Sequence, residues 1–363
     1  MKKIRIALAF GTRPEIIKFL PIVRELDSRN IPYYLIHTGQ HYTFEMDRIF
    51  FSEFGIGAPK YNFRVGSGTH AVQTSKGMVR VEEVLSKEDQ NCILVQGDTN
   101  STLAAALAAA KLSIPIGHVE AGLRSFDSSM PEEINRRLTD AVSTVFFAPT
   151  EVARRNLLRE GFSDSDIYLT GNTVVDSIKV QLAQNGSRGA LPNGARRNEN
   201  LVVATFHRPE NVDSRDGLKS IVAILERVSS DLHVGVVWPM HPRTARSLQR
   251  FRVPIPKAIR ILGPLGYTEF LNLEREASVI LTDSGGVQEE ACVLGVPCIT
   301  VRNTTERPET VHVGANILAY PRPGRVVDLV HLMRARGSRW ANPLGDGRSA
   351  QKIVSVLLER FSR

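Results

Sequence analysis

Cysteine is scarce in this chain. The three present, Cys92, Cys292 and Cys298, lie in apolar surroundings with no metal-ligand spacing between them. That excludes a disulfide framework and a zinc-finger-type site, and the thiols are expected to be reduced core residues of a cytoplasmic protein. Long apolar runs are missing too: none approaches the roughly 20 residues of a membrane span. The opening MKKIRIALAF puts two lysines before an apolar stretch, but Gly11-Thr12-Arg13-Pro14-Glu15 follows at once with no small-residue cleavage site. A first buried strand is expected there, not a signal peptide. Asn-x-Ser/Thr matches at Asn100, Asn185 and Asn303 therefore carry no weight as glycan sites. No Lys/Arg run is interleaved with aromatics, so the formal charge of +8 is not the footprint of a nucleic-acid binder. A dispersed basic excess suits a small polyanion such as a nucleotide. HExxH, CxxC, EF-hand, GxSxG and GxGxxG patterns are all absent, which argues against a metal site, a serine hydrolase and an NAD or FAD enzyme.

What the chain has is regular alternation. At 363 residues it exceeds one compact core and suits two domains. Its 42 % apolar and 23 % charged content is that of a soluble globular protein. Short β-rich runs, IRIALAF, YYLIHTG, CILVQGD, IGHVE and TVFFAPT, are bounded by Gly, Pro, Thr or Asp. Helical stretches lie between them, over Glu15–Asp27, Thr43–Phe54, Thr74–Leu85 and the alanine-rich Ser101–Lys111. Such alternation predicts a parallel sheet covered on both faces. From Gln184 to Asn200 the stretch QNGSRGALPNGARRNEN offers almost nothing to bury and reads as a linker. Beyond it LVVATFH, HVGVVWP, IRILGP, VILTDS, PCITV and NILAY resume the pattern. The expected fold class is α/β, two doubly wound Rossmann-like domains facing one another across a cleft. They span residues 1–175 and 176–346, with an amphipathic helix over about 347–363 packing back on the first.

In such sheets ligands bind beyond the carboxyl ends of the strands, and polar clusters fall there. In AFGTRPEIIK, Gly11 allows a tight turn and Pro14 suits a first helical turn. Arg13 and Lys18 are expected over that helix N-terminus, a place that favours anions, although an ordinary βα turn with surface bases has the same residues. In VILTDSGGVQEEA, Ser284-Gly285-Gly286 follows a strand and opens a helix, so bare N–H groups can approach a diphosphate; a plain turn with a capping serine is the alternative. Glu290 stands one turn further in, at a distance suited to ribose hydroxyls. Asp98 and Glu120 end successive strands, and carboxylates at the mouths of buried elements are costly unless used. Glu132 and Arg136 are four apart, as are Glu133 and Arg137, so one pair can face the cleft while the other stays in solvent. Two surface salt bridges worth a few tenths of a kcal/mol is the plainer alternative. His207 and His241 stand at strand ends of the second half, and one of them is a candidate acid–base group. Asp283 and Glu289 read as structural.

Taken in order, GTRPEIIK, TGQHY, QGDTNST, GHVEAGLRS, MPEEINR, FHRPEN, TDSGGVQEEA and TTERPE resemble the motif series of the non-hydrolysing UDP-N-acetylglucosamine 2-epimerases, from Gly11 to about Asn316. The resemblance implies a GT-B-type fold with the active site in the interdomain cleft. It implies interconversion of UDP-GlcNAc and UDP-ManNAc, with no cofactor and no metal, by elimination of UDP to 2-acetamidoglucal and its re-addition. It places Asp98, Glu120, Glu132 and His207 on catalytic positions; Arg136 is then expected to orient the carboxylates or the substrate, which leaves Glu133 and Arg137 to the solvent side by default. Arg13, Lys18, Ser284, Gly285, Gly286 and Glu290 fall on UDP-binding positions, Phe270 matches a residue beside the uracil, and His241 is expected among the substrate-binding residues. A homodimer is implied as well, with no nucleic-acid or membrane partner. One departure stands out. Gln40-His41-Tyr42-Thr43-Phe44, with Met46 next, replaces the Gln-His-Arg and Met-Leu pattern of bacterial members that carry a regulatory UDP-GlcNAc site, and is closer to archaeal-type members. A hydrolysing relative releasing ManNAc, or a 2-epimerase of a UDP-2,3-diacetamido sugar, shares the fold and much of the site. A glycosyltransferase of this fold would not need three cleft carboxylates.

Overall fold

A computed structural model describes residues 4–39, 51, 55–185, 200–320 and 322–362. The Gln40–Met46 motif, the helix expected over 43–54 apart from Phe51, and most of the expected linker lie outside them. The chain divides into two compact units, Met1–Val180 with Leu344–Arg363, and Gln181–Pro343.

The first unit carries seven strands: β1 (Ile6–Phe10), β2 (Tyr33–His37), β3 (Tyr61–Asn62), β4 (Cys92–Gln96), β5 (Ile116–Val119), β6 (Val145–Ala148) and β7 (Ile167–Leu169). All pair in parallel, in the order β3-β2-β1-β4-β5-β6-β7. Every residue of β1, β4, β5 and β6 is buried, which is why these strands read as unbroken apolar runs instead of alternating ones. The Asn100–Lys111 helix is alanine-rich because it packs closely: Gly77 of the His70–Leu85 helix lies against the Ala104 methyl. The Ser349–Phe361 helix belongs to this unit. It meets the end of the Arg13–Ser28 helix, where Arg29 Nη1 donates to Ser355 Oγ at 3.1 Å.

The second unit carries β8 (Leu201–Thr205), β9 (Gly235–Pro239), β10 (Ile259–Leu262), β11 (Val279–Thr282), β12 (Cys298–Thr300) and β13 (Asn316–Leu318), again all parallel, in the order β10-β9-β8-β11-β12-β13. The HVGVVWP run begins its strand two residues late, because His233 ends the preceding helix in the left-handed region (φ 50°).

The two sheets are doubly wound and Rossmann-like, the pair of units being of GT-B type. Each reverses its winding once, between β1 and β4 in the first and between β8 and β11 in the second, and ligands of such sheets bind beyond the strand ends at that point. Gly11, Asp98, His207 and Ser284 all follow one of these four strands directly or within two residues.

Candidate active site

At the first reversal Gly11 is required by close approach, not by an unusual φ. A Cβ there would lie 2.0 Å from Ser101 Oγ and 2.3 Å from Thr38 Oγ1. Thr12 precedes the Arg13–Ser28 helix, which Arg13 opens partly buried, and Glu15 turns back to close it. Glu15 Oε2 accepts from Gly11 N (3.0 Å), Thr12 N (2.8 Å) and Thr12 Oγ1 (2.8 Å), while Oε1 accepts from Thr99 and Thr102 Oγ1, 3.0 Å each. One carboxyl thus joins the turn after β1 to the turn after β4. Burial pushes it up to about 7 against the pull of these donors. The folded chain therefore keeps a proton that the unfolded chain loses from about pH 4.5, and stability falls as pH rises through that window to about 7. The loss from this one group is about 3 kcal/mol above the window. In urea unfolding between pH 5 and 8, Glu15→Gln is expected to remove about one proton's worth of slope. An unchanged slope would show Glu15 ionised throughout.

Lys18, expected over the helix N-terminus, is buried and points elsewhere: its Nζ is paired with Glu120 Oε1. Glu120 directly follows β5 and is 4 % exposed. Asn172 Nδ2 donates to its Oε1 at 3.0 Å and Gln96 Nε2 to its Oε2 at 2.5 Å. Its backbone is left-handed (φ 69°), which costs a non-glycine residue roughly 1–2 kcal/mol.

Asp98, two residues beyond β4, is 29 % exposed and accepts from Arg136 Nε at 2.9 Å. Arg136 also pairs through Nη1 with Glu133, and its buried Nη2 has no hydrogen-bond partner among the described residues. Glu133 is not on the solvent side but buried, accepting from Ser125 N (2.9 Å), Ser125 Oγ (3.0 Å) and Phe126 N (3.2 Å) as well as from Arg136. The buried face of the Pro131–Val142 helix runs through Glu133, Arg136 and Asp140 at three- and four-residue steps. Glu132 stands at the edge of that face, half-buried, and Arg137 is 59 % exposed as expected.

In the second unit, His207 and Asp283 meet at the β8/β11 reversal. Asp283 is fully buried and accepts from His207 N (3.0 Å), Arg208 N (3.0 Å) and Asn211 Nδ2 (2.9 Å), with His207 Nδ1 at 3.2 Å. Burial alone would raise this carboxyl, but His207 and the other donors outweigh it and hold it below the usual range. Asp283, read as structural, is the carboxylate that orients His207 through its backbone N and its Nδ1. His241 lies beside it, ring centroids 5.1 Å apart. Its Nδ1 accepts from Arg243 N at 3.2 Å, capping the Pro242–Phe251 helix. Burial, then the neighbouring His207, push that imidazole down to about 4, so it stays neutral at pH 7.

Ser284 caps the Gly285–Leu294 helix, its Oγ 3.5 Å from Val287 N. A Cβ on Gly285 would come within 2.5 Å of Glu306 Oε1, so this position admits only glycine without a shift, while Gly286 is open. Glu290 is buried beside Glu274, which burial and Glu290 push well above the ordinary range, and beside Tyr267. Phe270 lies partly buried on the core of Leu273 and Val287. Glu289 is fully buried and pairs with Arg307 Nε. Among the described residues no group of three or more His, Cys, Asp or Glu is placed to hold a metal ion.

Comparison with known proteins bears on this arrangement. The model of the UDP-N-acetylglucosamine 2-epimerase family matches residues 24–358. The UDP-N-acetylglucosamine 2-epimerase of Methanocaldococcus jannaschii is 48 % identical over 360 residues, covering 97 % of this chain and 98 % of that one. The crystal structure of that organism's UDP-GlcNAc 2-epimerase in complex with UDP-GlcNAc and UDP superposes with a TM-score of 0.91, covering 98 % of this chain and 99 % of that one. The UDP-2,3-diacetamido-2,3-dideoxy-D-glucuronate 2-epimerase of Pseudomonas aeruginosa is 39 % identical, covering 97 % and 99 %. The chain belongs to the UDP-N-acetylglucosamine 2-epimerase family.

Proposed function

We propose that this protein interconverts UDP-GlcNAc and UDP-ManNAc without hydrolysis, by eliminating UDP across C1–C2 and adding it back. The C2 proton of the sugar is not acidic enough for simple removal and return. A carboxylate takes that proton as the C1–O bond breaks and UDP departs, leaving 2-acetamidoglucal. A second carboxylic acid then protonates C2 on the other face while the diphosphate oxygen rejoins C1. The observation that carries the reading is the pair of carboxylates ending the adjacent strands β4 and β5 in unlike surroundings. Asp98 is partly open and held by Arg136, whereas Glu120 is enclosed and held by Lys18. Groups set apart in this way suit opposite acid–base roles.

Glu132, at the edge of the same helical face as Arg136, is the third carboxyl for proton transfer at C2. Arg136 orients the carboxylates and offers its unpaired Nη2 to the substrate. His207, aligned by Asp283, assists the departing diphosphate. Arg13, His241, Ser284, Gly285, Gly286, Glu290 and Phe270 bind the nucleotide and its sugar, the helix start at Gly285 taking phosphate oxygens on bare N–H groups, while Lys18 serves the site through its pairing with Glu120. The same reading has the protein work in the cytoplasm as a homodimer, without metal or NAD. The identity to the Pseudomonas enzyme favours a second substrate class, a UDP-2,3-diacetamido sugar, acted on at the same carbon.

Proton NMR of the enzyme with UDP-GlcNAc tests the substrate and the reaction together. A second anomeric signal, that of UDP-ManNAc, is expected to grow to a ratio also reached from UDP-ManNAc. No new signal from UDP-GlcNAc overturns the substrate assignment. Stoichiometric UDP with free ManNAc identifies a hydrolase.

A further inference from the structure

His118 lies within β5, two residues before Glu120, and is fully buried. Its Nδ1 is 2.6 Å from Asp140 Oδ1 and its Nε2 is 2.9 Å from the Gly97 carbonyl oxygen. Each ring nitrogen thus has an acceptor oxygen within hydrogen-bond distance. Asp140, also fully buried, uses its other oxygen to accept from Gly122 N at 3.1 Å and Arg124 Nη2 at 2.7 Å. Arg124 goes on to Glu160, donating from Nε at 2.8 Å and Nη2 at 2.5 Å. The result is an alternating row of four groups, His118, Asp140, Arg124 and Glu160, each bonded to the next.

Its attachment points are what give this row a function. The Gly97 carbonyl immediately precedes Asp98. Gly122 and Arg124 follow Glu120, whose left-handed backbone needs holding from both sides. Asp140 sits on the Pro131–Val142 helix, one turn beyond Arg136 and two beyond Glu132. A single imidazole therefore fastens together the three elements that carry the proposed acid–base carboxylates. Asn135 adds a smaller tie, its Nδ2 donating to the Asp98 carbonyl oxygen at 2.9 Å. A network buried in low dielectric and satisfied at every member rigidifies what it holds.

We propose that His118, acting through Asp140, is a positioning residue that fixes Asp98, Glu120 and Glu132 relative to one another without touching substrate. The inference rests on the epimerase reading. Mutual geometry of acid–base groups affects turnover far more than binding, because a displacement of about 1 Å can cost about a hundredfold in rate.

The test compares wild type with His118→Gln, which cannot make both bonds, and Glu160→Gln, which loosens the row at its partly exposed end. Turnover is expressed per UDP-binding site, titrated on the same preparation, so that loss of folded protein alone leaves it unmoved. His118→Gln is expected to lower kcat by about a hundredfold with KM for UDP-GlcNAc changed less than about threefold. Glu160→Gln is expected to lower kcat by about fivefold, again with KM kept. Should His118→Gln fail to fold, the Glu160 variant decides. Variants that match an active wild type in kcat, or that lose affinity in place of kcat, overturn the positioning role alone. A wild type without epimerase activity overturns the reading beneath it.

Discussion

Asp98→Asn and Glu120→Gln are each expected to lower turnover of UDP-GlcNAc by about a thousandfold, with UDP still bound, because each removes a group that carries a proton to or from C2. The two substitutions differ in what they do to the fold. Asp98 is partly exposed, and the asparagine oxygen can still accept from Arg136 Nε, so stability should change little. Glu120 is enclosed and accepts from Lys18, Gln96 and Asn172. A glutamine there sets an N–H against another donor and takes the carboxylate charge away from buried Lys18, which costs about 3–5 kcal/mol. Rates are therefore compared per UDP-titrated site, and stability is followed separately by urea unfolding. Wild-type rates in both variants would return Asp98 and Glu120 to a purely structural role.

Arg136→Met should damage both stability and turnover. Arg136 is almost fully buried and joins Asp98 to Glu133. Without it Glu133 keeps its bonds from Ser125 and Phe126 but loses the only cation paired with it among the described residues. About 3 kcal/mol of stability should go with it, and Asp98 loses its alignment, lowering kcat about a hundredfold. Lysine should not restore it, since one ammonium cannot serve two separate carboxylates in the manner of a guanidinium fork. Arg137→Met, one residue on, is expected to change stability by no more than about 0.5 kcal/mol, because Arg137 is exposed and 3.9 Å from Glu160. Unfolding midpoints of the two variants, measured side by side, check this; equal losses would contradict the assignment of the buried face.

Much of the architecture was legible because the strands that position the site are buried on both faces and stand as apolar runs. Asp98, Glu120, His207 and Ser284 could be placed at strand ends from the runs alone. β3 and β7, of two and three residues, are too short to leave a pattern. On the helix, spacing showed which residues share a face but not which face is buried. Four-residue steps pair Glu132 with Arg136 and Glu133 with Arg137, yet the Ser125 and Phe126 N–H groups donate to Glu133 and draw it inward. Nothing local in the sequence announces those bonds. His118 and Asp140 are 22 residues apart and form no motif; only parallel pairing of β4 with β5 brings the Gly97 carbonyl to that ring. The partnership of Lys18 with Glu120, across 102 residues, was hidden for the same reason.

Elimination and re-addition require that the C2 proton leave the sugar for a carboxylate and that a different proton return. Incubation of the enzyme with UDP-GlcNAc in D₂O, followed by proton NMR, tests this most directly. UDP-ManNAc carrying deuterium at C2, with UDP remaining bound in the product, is the expected outcome. UDP-ManNAc that keeps protium at C2 would contradict the account.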